Sequence, residues 1–435
     1  MGIGASAGGL DPLSEFFEAM PVHSGMAFVV VVHLSPKHAS TLPSLLQAKT
    51  RIPVVVADGP VSIEPNHVYV IPPNKLLSMN DGYLRVSDME SSHGRQIAID
   101  LFFRTLAAVH RERAVAVVLS GAGADGAVGI TRIKEEGGIA IVQRPSDAEF
   151  DSMPRSAIAT GAIDWVLPVA SMPRRLLEMW ANAKEIELPP IREEEAIAPD
   201  PQTAEASKDA GEGLGGILLL LRARTGHDFR NYKRATVLRR LERRLQVHGQ
   251  TNLPGYRQFL QSEAEEAPAL LRDLLIGVTN FFRDPDTSDG LQREALRPLF
   301  ERAEGADGLR VWVPGCATGE EAYSIAMLLA EESANPTNPP AVHPFATDIA
   351  EPAIATARLG LYPGPIEADV TPTRLRRFFD KDGQQYRIRK EDHAGIIDCY
   401  ISRVENGRFE VKRRIPKEEI AKFMPVRHDL AKLKA

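Results

Sequence analysis

At 435 residues the chain exceeds what one hydrophobic core usually organises, and two or three domains of about 150 residues are expected. Its 43% hydrophobic and 25% charged residues exclude wholesale disorder, while two distant cysteines, Cys316 and Cys399, exclude a disulfide framework or a thiolate zinc site and suit a reducing, cytoplasmic compartment. The net charge of -6 counts against general nucleic-acid binding, and apolar runs such as 26–32 and 217–221 fall far short of the roughly 20 residues of a membrane span.

The chain opens on Gly2-Ile3-Gly4-Ala5-Ser6-Ala7-Gly8-Gly9, a glycine-rich turn between a short apolar stub and a helical pattern containing Leu13, Phe16 and Phe17. Gly4-x-Ser6-x-Gly8 matches a nucleophile elbow, in which small neighbours permit the tight turn that exposes a serine oxygen. The same glycines could instead cradle a dinucleotide pyrophosphate at a helix start. Either motif alone is more often an ordinary turn. Strands are predicted over 28–32, 54–56, 68–71, 114–119, 139–142 and 165–167, alternating with helical patterns, which implies an α/β domain with a largely parallel sheet. The strand at 28–32 ends in His33, where a dinucleotide site expects an Asp or Glu for the ribose hydroxyls. That position suits a base, and it disfavours a dinucleotide-dependent oxidoreductase. The strand at 114–119 runs into Ser120-Gly121-Ala122-Gly123-Ala124-Asp125-Gly126, leaving a carboxylate at a third strand end. A serine hydroxyl becomes nucleophilic when an imidazole removes its proton, and a carboxylate holds that imidazole in its working tautomer. Ser6, His33 and Asp125 are therefore the expected nucleophile, base and orienting acid, with backbone N–H groups near Ala7 and Ala122 as oxyanion donors.

Gly4-Ala5-Ser6-Ala7-Gly8-Gly9, His33-Leu34-Ser35-Pro36, Tyr69-Val70-Ile71-Pro72-Pro73, Leu119 to Gly126 and Met153-Pro154-Arg155 together make residues 2–177 resemble the catalytic domain of the chemotaxis protein-glutamate methylesterases, CheB type. The resemblance implies a doubly wound, mainly parallel sheet over 1–182. It also implies hydrolysis of glutamyl methyl esters on a methyl-accepting chemoreceptor by Ser6, His33 and Asp125. No receiver domain accompanies it in this sequence.

Residues 183–212, with Pro189, Pro190, Pro199, Pro201 and an acidic run at Glu193, Glu194 and Glu195, read as a linker. From 213 to 290 only helical periodicity is present, for example Val237, Leu241 and Leu245, flanked by Lys233, Arg234, Arg239, Arg240, Arg243 and Arg244. Such a face is solvated or docks an acidic partner; DNA, a third possibility, is disfavoured by the acidic net charge and by the lack of any resemblance to a helix-turn-helix. Strands are predicted at 309–313 and 342–347. The first runs into Gly315-Cys316-Ala317-Thr318-Gly319-Glu320-Glu321 and the second ends at Asp348, where ribose hydroxyls would sit. Without a phosphate-binding pattern, a nucleoside lacking pyrophosphate fits, which suggests S-adenosylmethionine.

The order of helical module, Asn280-Phe281-Phe282-Arg283, Gly315 to Glu321 and Ala346-Thr347-Asp348-Ile349 resembles the chemotaxis-receptor glutamate methyltransferases, CheR type. It implies that Thr279, Arg283, Glu321 and Asp348 contact S-adenosylmethionine, that 213–290 is an all-α receptor-docking module whose arginines face the receptor, and that 291–390 is a partial Rossmann-like α/β domain. Beyond Glu391 the family's closing strands are not recognised, so 391–435 reads as a divergent tail leaving a sheet edge unpaired, with methyl transfer weak or absent. The whole then reads as an esterase–transferase fusion, or alternatively as a signalling scaffold whose second half only senses S-adenosylmethionine or a receptor.

Overall fold

The computed structural model describes residues 1–33, 41–89, 97–189, 208–275, 277, 279–302, 308–334, 340–382, 385–389, 398–405 and 408–414. It divides into two compact units, Met1–Ile276 and Gly277–Ala435.

In the first unit the strands are β1 (Gly2–Ala5), β2 (Phe28–Val32), β3 (Val54–Val56), β4 (Val61–Ser62), β5 (Val68–Val70), β6 (Lys75–Asn80), β7 (Tyr83–Asp88), β8 (Val115–Val118), β9 (Ile139–Gln143) and β10 (Trp165–Leu167). Seven of them form one sheet in the order β10-β9-β8-β1-β2-β5-β3, every neighbouring pair parallel. Side chains alternate across a strand, so each strand feeds two cores. Ile3, Phe28, Val30, Val117 and Ile141 pack on one face with α1 (Leu10–Ala19), α2 (Leu42–Lys49) and α6 (Met172–Ala183). Val29, Val31, Ala116, Val118 and Val142 pack on the other with α3 (Ala98–His110), α4 (Ala127–Glu135) and α5 (Ser152–Ala159). Burial on both faces explains why these strands read as unbroken apolar runs rather than alternating ones. β1 lies between β2 and β8, where the strand order reverses direction, and open α/β sheets place their crevices at the carboxyl ends of such strands.

β4, β7 and β6 form a separate antiparallel sheet that the strand prediction did not include. Its signal is the Asp81-Gly82 pair between β6 and β7, both at positive φ (48° and 81°), as a two-residue hairpin turn demands.

Beyond α6, residues 190–207 of the expected linker lie outside the described residues. The helical module follows as α7 (Lys208–Thr225), α8 (Arg234–His248), α9 (Leu253–Ser262) and α10 (Glu266–Leu274). Val237, Leu238, Leu241 and Leu245 of α8 pack on Ile217, Leu221, Tyr256 and Leu270, and Gly249 ends that helix in the left-handed region at φ 64°.

The arginines of α8 depart from expectation. Lys233 and Arg239 are exposed, but Arg243 and Arg244 are buried and Arg240 is half-buried. Arg243 donates to the carbonyl of Gly138 (2.9 Å) and pairs with both Asp164 and Asp273, while Lys134 reaches Asp273 at 2.9 Å. Arg240 donates to the carbonyls of Lys134 (3.0 Å) and Glu135 (2.8 Å), at the carboxyl-terminal acceptor end of α4. Arg244 pairs with Glu266, which also accepts from Tyr256. The counter-charge for this helix face comes from the chain's own Asp164, Asp273 and Glu266, so these three arginines are turned away from any external partner. Burial alone would push the Asp273 carboxyl up, but Arg243, Lys134 and Arg244 outweigh it and hold the group at about 2.

The second unit contains α11 (Pro285–Leu291), α12 (Arg297–Arg302), β11 (Leu309–Pro314), α13 (Glu320–Ser333), β12 (Val342–Asp348), α14 (Glu351–Leu359), β13 (Leu361–Pro363), α15 (Pro372–Phe378), β14 (Phe379–Asp382), β15 (Gln385–Ile388), β16 (Asp398–Glu405) and β17 (Arg408–Arg414). β11, β12 and β16 are parallel neighbours, and β17 pairs antiparallel with β16. The β12 edge expected to lie open is therefore covered by a strand from the stretch read as a divergent tail. Its physical basis is simple: a buried row of backbone donors and acceptors recruits whatever strand the chain can supply. β13, β15 and β14 form a small antiparallel sheet over the core of Phe281, Phe300, Leu328, Tyr362, Phe378 and Tyr386.

Candidate active site and candidate nucleoside site

Ser6 follows β1, His33 follows β2, and Asp125 sits in the loop between β8 and α4. These are three adjacent strands, so the parallel sheet brings residues 27 and 92 positions apart to one edge. The Ser6 Oγ and His33 Nδ1 are 3.1 Å apart, and His33 Nε2 and Asp125 Oδ2 are 2.7 Å apart. With the ring proton on Nε2, His33 donates to Asp125 and leaves Nδ1 to accept from the serine hydroxyl. Asp125 is itself held: the N–H of Ile99 donates to Oδ2 (3.0 Å) and that of Asp100 to Oδ1 (2.8 Å). Both amides belong to the start of α3, where unpaired N–H groups and the helix dipole favour an anion. The Asp125 side chain is 2% exposed and that of His33 19%, so the dyad is shielded while the histidine still reaches the crevice.

Two glycines make the approach possible. Gly8 has φ 67°, and a Cβ there would lie 2.7 Å from Glu149 Oε2 and 2.9 Å from Ser120 Oγ. At Gly121 a Cβ would lie 2.1 Å from Met153 Sδ and 2.9 Å from the Cβ of Ser6. Gly121→Ala is expected to displace Ser6 and lower kcat/KM for ester hydrolysis about 100-fold, because misplacement by an ångström costs that much. Steady-state kinetics beside a circular dichroism spectrum checks it. The amides of Gly121 and Gly123 are committed, to the Phe150 carbonyl (2.9 Å) and Ser152 Oγ (3.1 Å). Among the described residues no acceptor takes the N–H of Ala7 or Ala122. Leu34, Ser35 and Pro36 lie outside the described residues.

In the second unit β11 runs into Gly315 (φ 70°), Ala317 (φ 44°) and Gly319 (φ 100°), and α13 begins at Glu320. A Cβ on Gly315 would meet nothing within 4 Å, so this backbone is open to a ligand. Asp348 ends β12 and accepts from the N–H of Ala317 (2.8 Å) and of Ala350 (2.7 Å), which leaves lone pairs on a half-buried carboxylate beside the turn. This donor and acceptor set fits a nucleoside such as that of S-adenosylmethionine. Thr279 is half-buried, and Arg283 and Glu321 are exposed. The neighbouring Glu320 is the acid turned inward: the Thr318 hydroxyl donates to it at 2.5 Å, and burial pushes its carboxyl up. The Glu-Glu pair gives no sequence signal for which member faces in, since helix phase decides it. Among the described residues no group of His, Cys, Asp or Glu is arranged to hold a metal ion, and no helix is long and apolar enough to cross a membrane.

Residues 1–176 match the family model described as CheB methylesterase. Residues 212–275 match the CheR methyltransferase all-alpha domain, and residues 277–403 the CheR methyltransferase SAM binding domain, which runs past Lys390 into β16. The chain is 38% identical over 369 residues to an uncharacterised 104.1 kDa protein of Rhodobacter capsulatus, covering 82% of this chain and 38% of that protein. It is 33% identical over 181 residues to a putative protein-glutamate methylesterase/protein-glutamine glutaminase of Leptospira interrogans, covering 41% of this chain and 94% of that one. A protein-glutamate methylesterase/protein-glutamine glutaminase of Geobacter metallireducens is 34% identical over 178 residues, 40% of this chain and 49% of that protein. The crystal structure of the Thermotoga maritima CheB methylesterase catalytic domain aligns with a TM-score of 0.38 at 27% identity, covering 41% of this chain and 96% of that one.

Proposed function

We propose, for a chain that belongs to the CheB methylesterase family over residues 1–176 and carries the CheR all-alpha and SAM binding domains over 212–275 and 277–403, that its first unit hydrolyses glutamyl methyl esters through Ser6, His33 and Asp125. The observation that carries this is the unbroken chain of bonds from Ser6 Oγ to His33 (3.1 Å), to Asp125 (2.7 Å) and on to the α3 amides. Ser6 Oγ attacks the ester carbonyl as its proton passes to His33 Nδ1. Asp125 stabilises the imidazolium that forms. The N–H groups of Ala7 and Ala122 receive the oxyanion. Collapse breaks the bond to the methoxy oxygen, which takes the proton from His33 and leaves as methanol. Water then attacks the acyl-serine with His33 again as base, releasing the glutamate carboxyl and restoring the Ser6 hydroxyl. Chemoreceptors are the partner this family reading supports.

For the second unit the same reading is S-adenosylmethionine binding by Asp348, the open Gly315 turn, Thr279, Arg283 and the acidic pair at 320–321. When bound, that cofactor supplies an electrophilic methyl group. We assign the unit S-adenosylmethionine binding with weak transfer, because the match to the CheR SAM binding domain ends at residue 403, within β16. Titration calorimetry of the chain with S-adenosylmethionine is expected to show saturable binding, weakened at least about tenfold in Asp348→Ala. Methyl transfer to a receptor substrate separates an active transferase from a sensor, and efficient transfer would overturn this assignment.

A further inference from the structure

α3 and α4 hold each other by exchanging carboxyl groups. Asp125, just before α4, accepts two N–H bonds from the start of α3, and Asp100, in the first turn of α3, accepts the N–H of Gly129 in α4 at 2.6 Å. Asp100 is 2% exposed, and its other oxygen, Oδ2, is buried with no hydrogen-bond donor directed at it. Two aspartates thus share a dry site with unequal support. Asp125 has three donors: two amides and His33 Nε2. Asp100 has one. A pair of carboxyls out of water cannot both ionise at little cost, and the proton goes to the member with fewer donors.

We propose that Asp100 is a positioning residue of the esterase triad that works as a neutral carboxylic acid, its proton shared toward Asp125 so that the single negative charge of the pair stays where His33 needs it. This rests on the triad reading above. The surrounding charges agree with it. Burial first, and then the charge of Asp125, push the Asp100 carboxyl well above the usual carboxylate range, against the opposing pull of the Gly129 amide and of Arg104 one turn along α3. The charged and titratable groups facing Asp100 are Asp125, Arg104 and, through Asp125, His33. A buried acid held neutral at pH 7 can donate a hydrogen bond that a carboxylate cannot.

Asp100→Asn replaces one neutral donor by another of the same shape, and the full chain carrying it is the test. Infrared difference spectra of wild type minus Asp100→Asn at pH 7 are expected to show a protonated-carboxyl C=O band. The acid limb of kcat/KM against pH is expected to stay in place, with activity within about threefold of wild type. If Asp100 is instead ionised, the band is absent and the acid limb falls by about one unit or more as a negative charge is removed beside the dyad. Either result overturns the proposal, as does a loss beyond tenfold in a folded Asn variant. Should Asp100→Asn fail to fold, Asp100→Ser in the same difference experiment decides the protonation state. The infrared readout needs no turnover, so it separates failure of this proposal from failure of the esterase reading, which Ser6→Ala tests.

Discussion

Ser6→Ala is expected to lower ester hydrolysis by about 10⁴- to 10⁶-fold while leaving the thermal melt within about 1 °C of wild type. The size follows from the cooperative behaviour of a triad, in which removing the nucleophile costs nearly as much as removing the whole constellation. The unchanged stability follows from what Ser6 touches. Its hydroxyl faces His33, whereas its backbone N–H donates to the Ser120 carbonyl at 3.0 Å and survives the substitution. Methanol release from a glutamyl methyl ester measures the first quantity and a calorimetric melt the second. Turnover retained by the purified variant would remove Ser6 from the mechanism. Asp125→Asn probes the same chain from its far end, and an effect near 10⁴-fold is the size expected when the imidazole is left in the wrong tautomer.

The second large effect is on stability. Arg243→Ala is expected to destabilise the first unit by about 3–5 kcal/mol, because it strips Asp164 and Asp273 of a guanidinium in a site where both carboxylates are 1% exposed. It also orphans the Gly138 carbonyl. Urea unfolding followed by tryptophan fluorescence measures the loss. Arg239→Ala, an exposed position on the same helix, is expected to change stability by less than about 0.5 kcal/mol. The pH dependence carries a sign. Asp273 sits at about 2 when folded against an ordinary value of 3.8. A carboxyl with a depressed folded value contributes stability that is complete above about pH 4 and is lost as pH falls through about 2. In Arg243→Ala the main attraction holding Asp273 down is gone, so acid unfolding moves to higher pH. An unchanged acid transition would show that Lys134 and Arg244 suffice.

This cluster changes the meaning of the helical module. A sequence rich in arginine along one helix invites an external acidic partner, and nothing local distinguishes a guanidinium that meets a receptor from one that meets its own chain. Asp164 and Asp273 lie 79 and 30 residues from Arg243. Only folding brings them together, and once it does the charges are spent internally. Among those singled out from the sequence, Arg239 of α8 and Lys233 just before it are exposed.

The grouping of Ser6, His33 and Asp125 was legible because each part is local: a glycine turn after one strand, a histidine ending a second, an aspartate in the loop after a third. Parallel sheets deliver strand ends to one edge, so three local signals sufficed to name one site. Several things were not legible. The hairpin of β6 and β7 was passed over although its Asp81-Gly82 turn is a known signal. The cover of the β12 edge by β16 was missed because pairing depends on a partner strand about 50 residues distant. Which of Glu320 and Glu321 faces inward depends on helix phase, fixed by the packing of Ala322, Met327 and Leu328.

By itself the sequence determined the parallel α/β class, the helical module and the strand-end positions of Ser6, His33 and Asp125, since these rest on periodicity and on motifs read within a few residues. Tertiary structure alone decided that His33 presents Nδ1 to the serine, that α3 amides anchor Asp125, that Asp100 shares its dry pocket, and that Arg240, Arg243 and Arg244 bond within the chain. The reason is common to all four. Each depends on the direction of a side chain and on the dielectric around it, which only packing of distant segments can set.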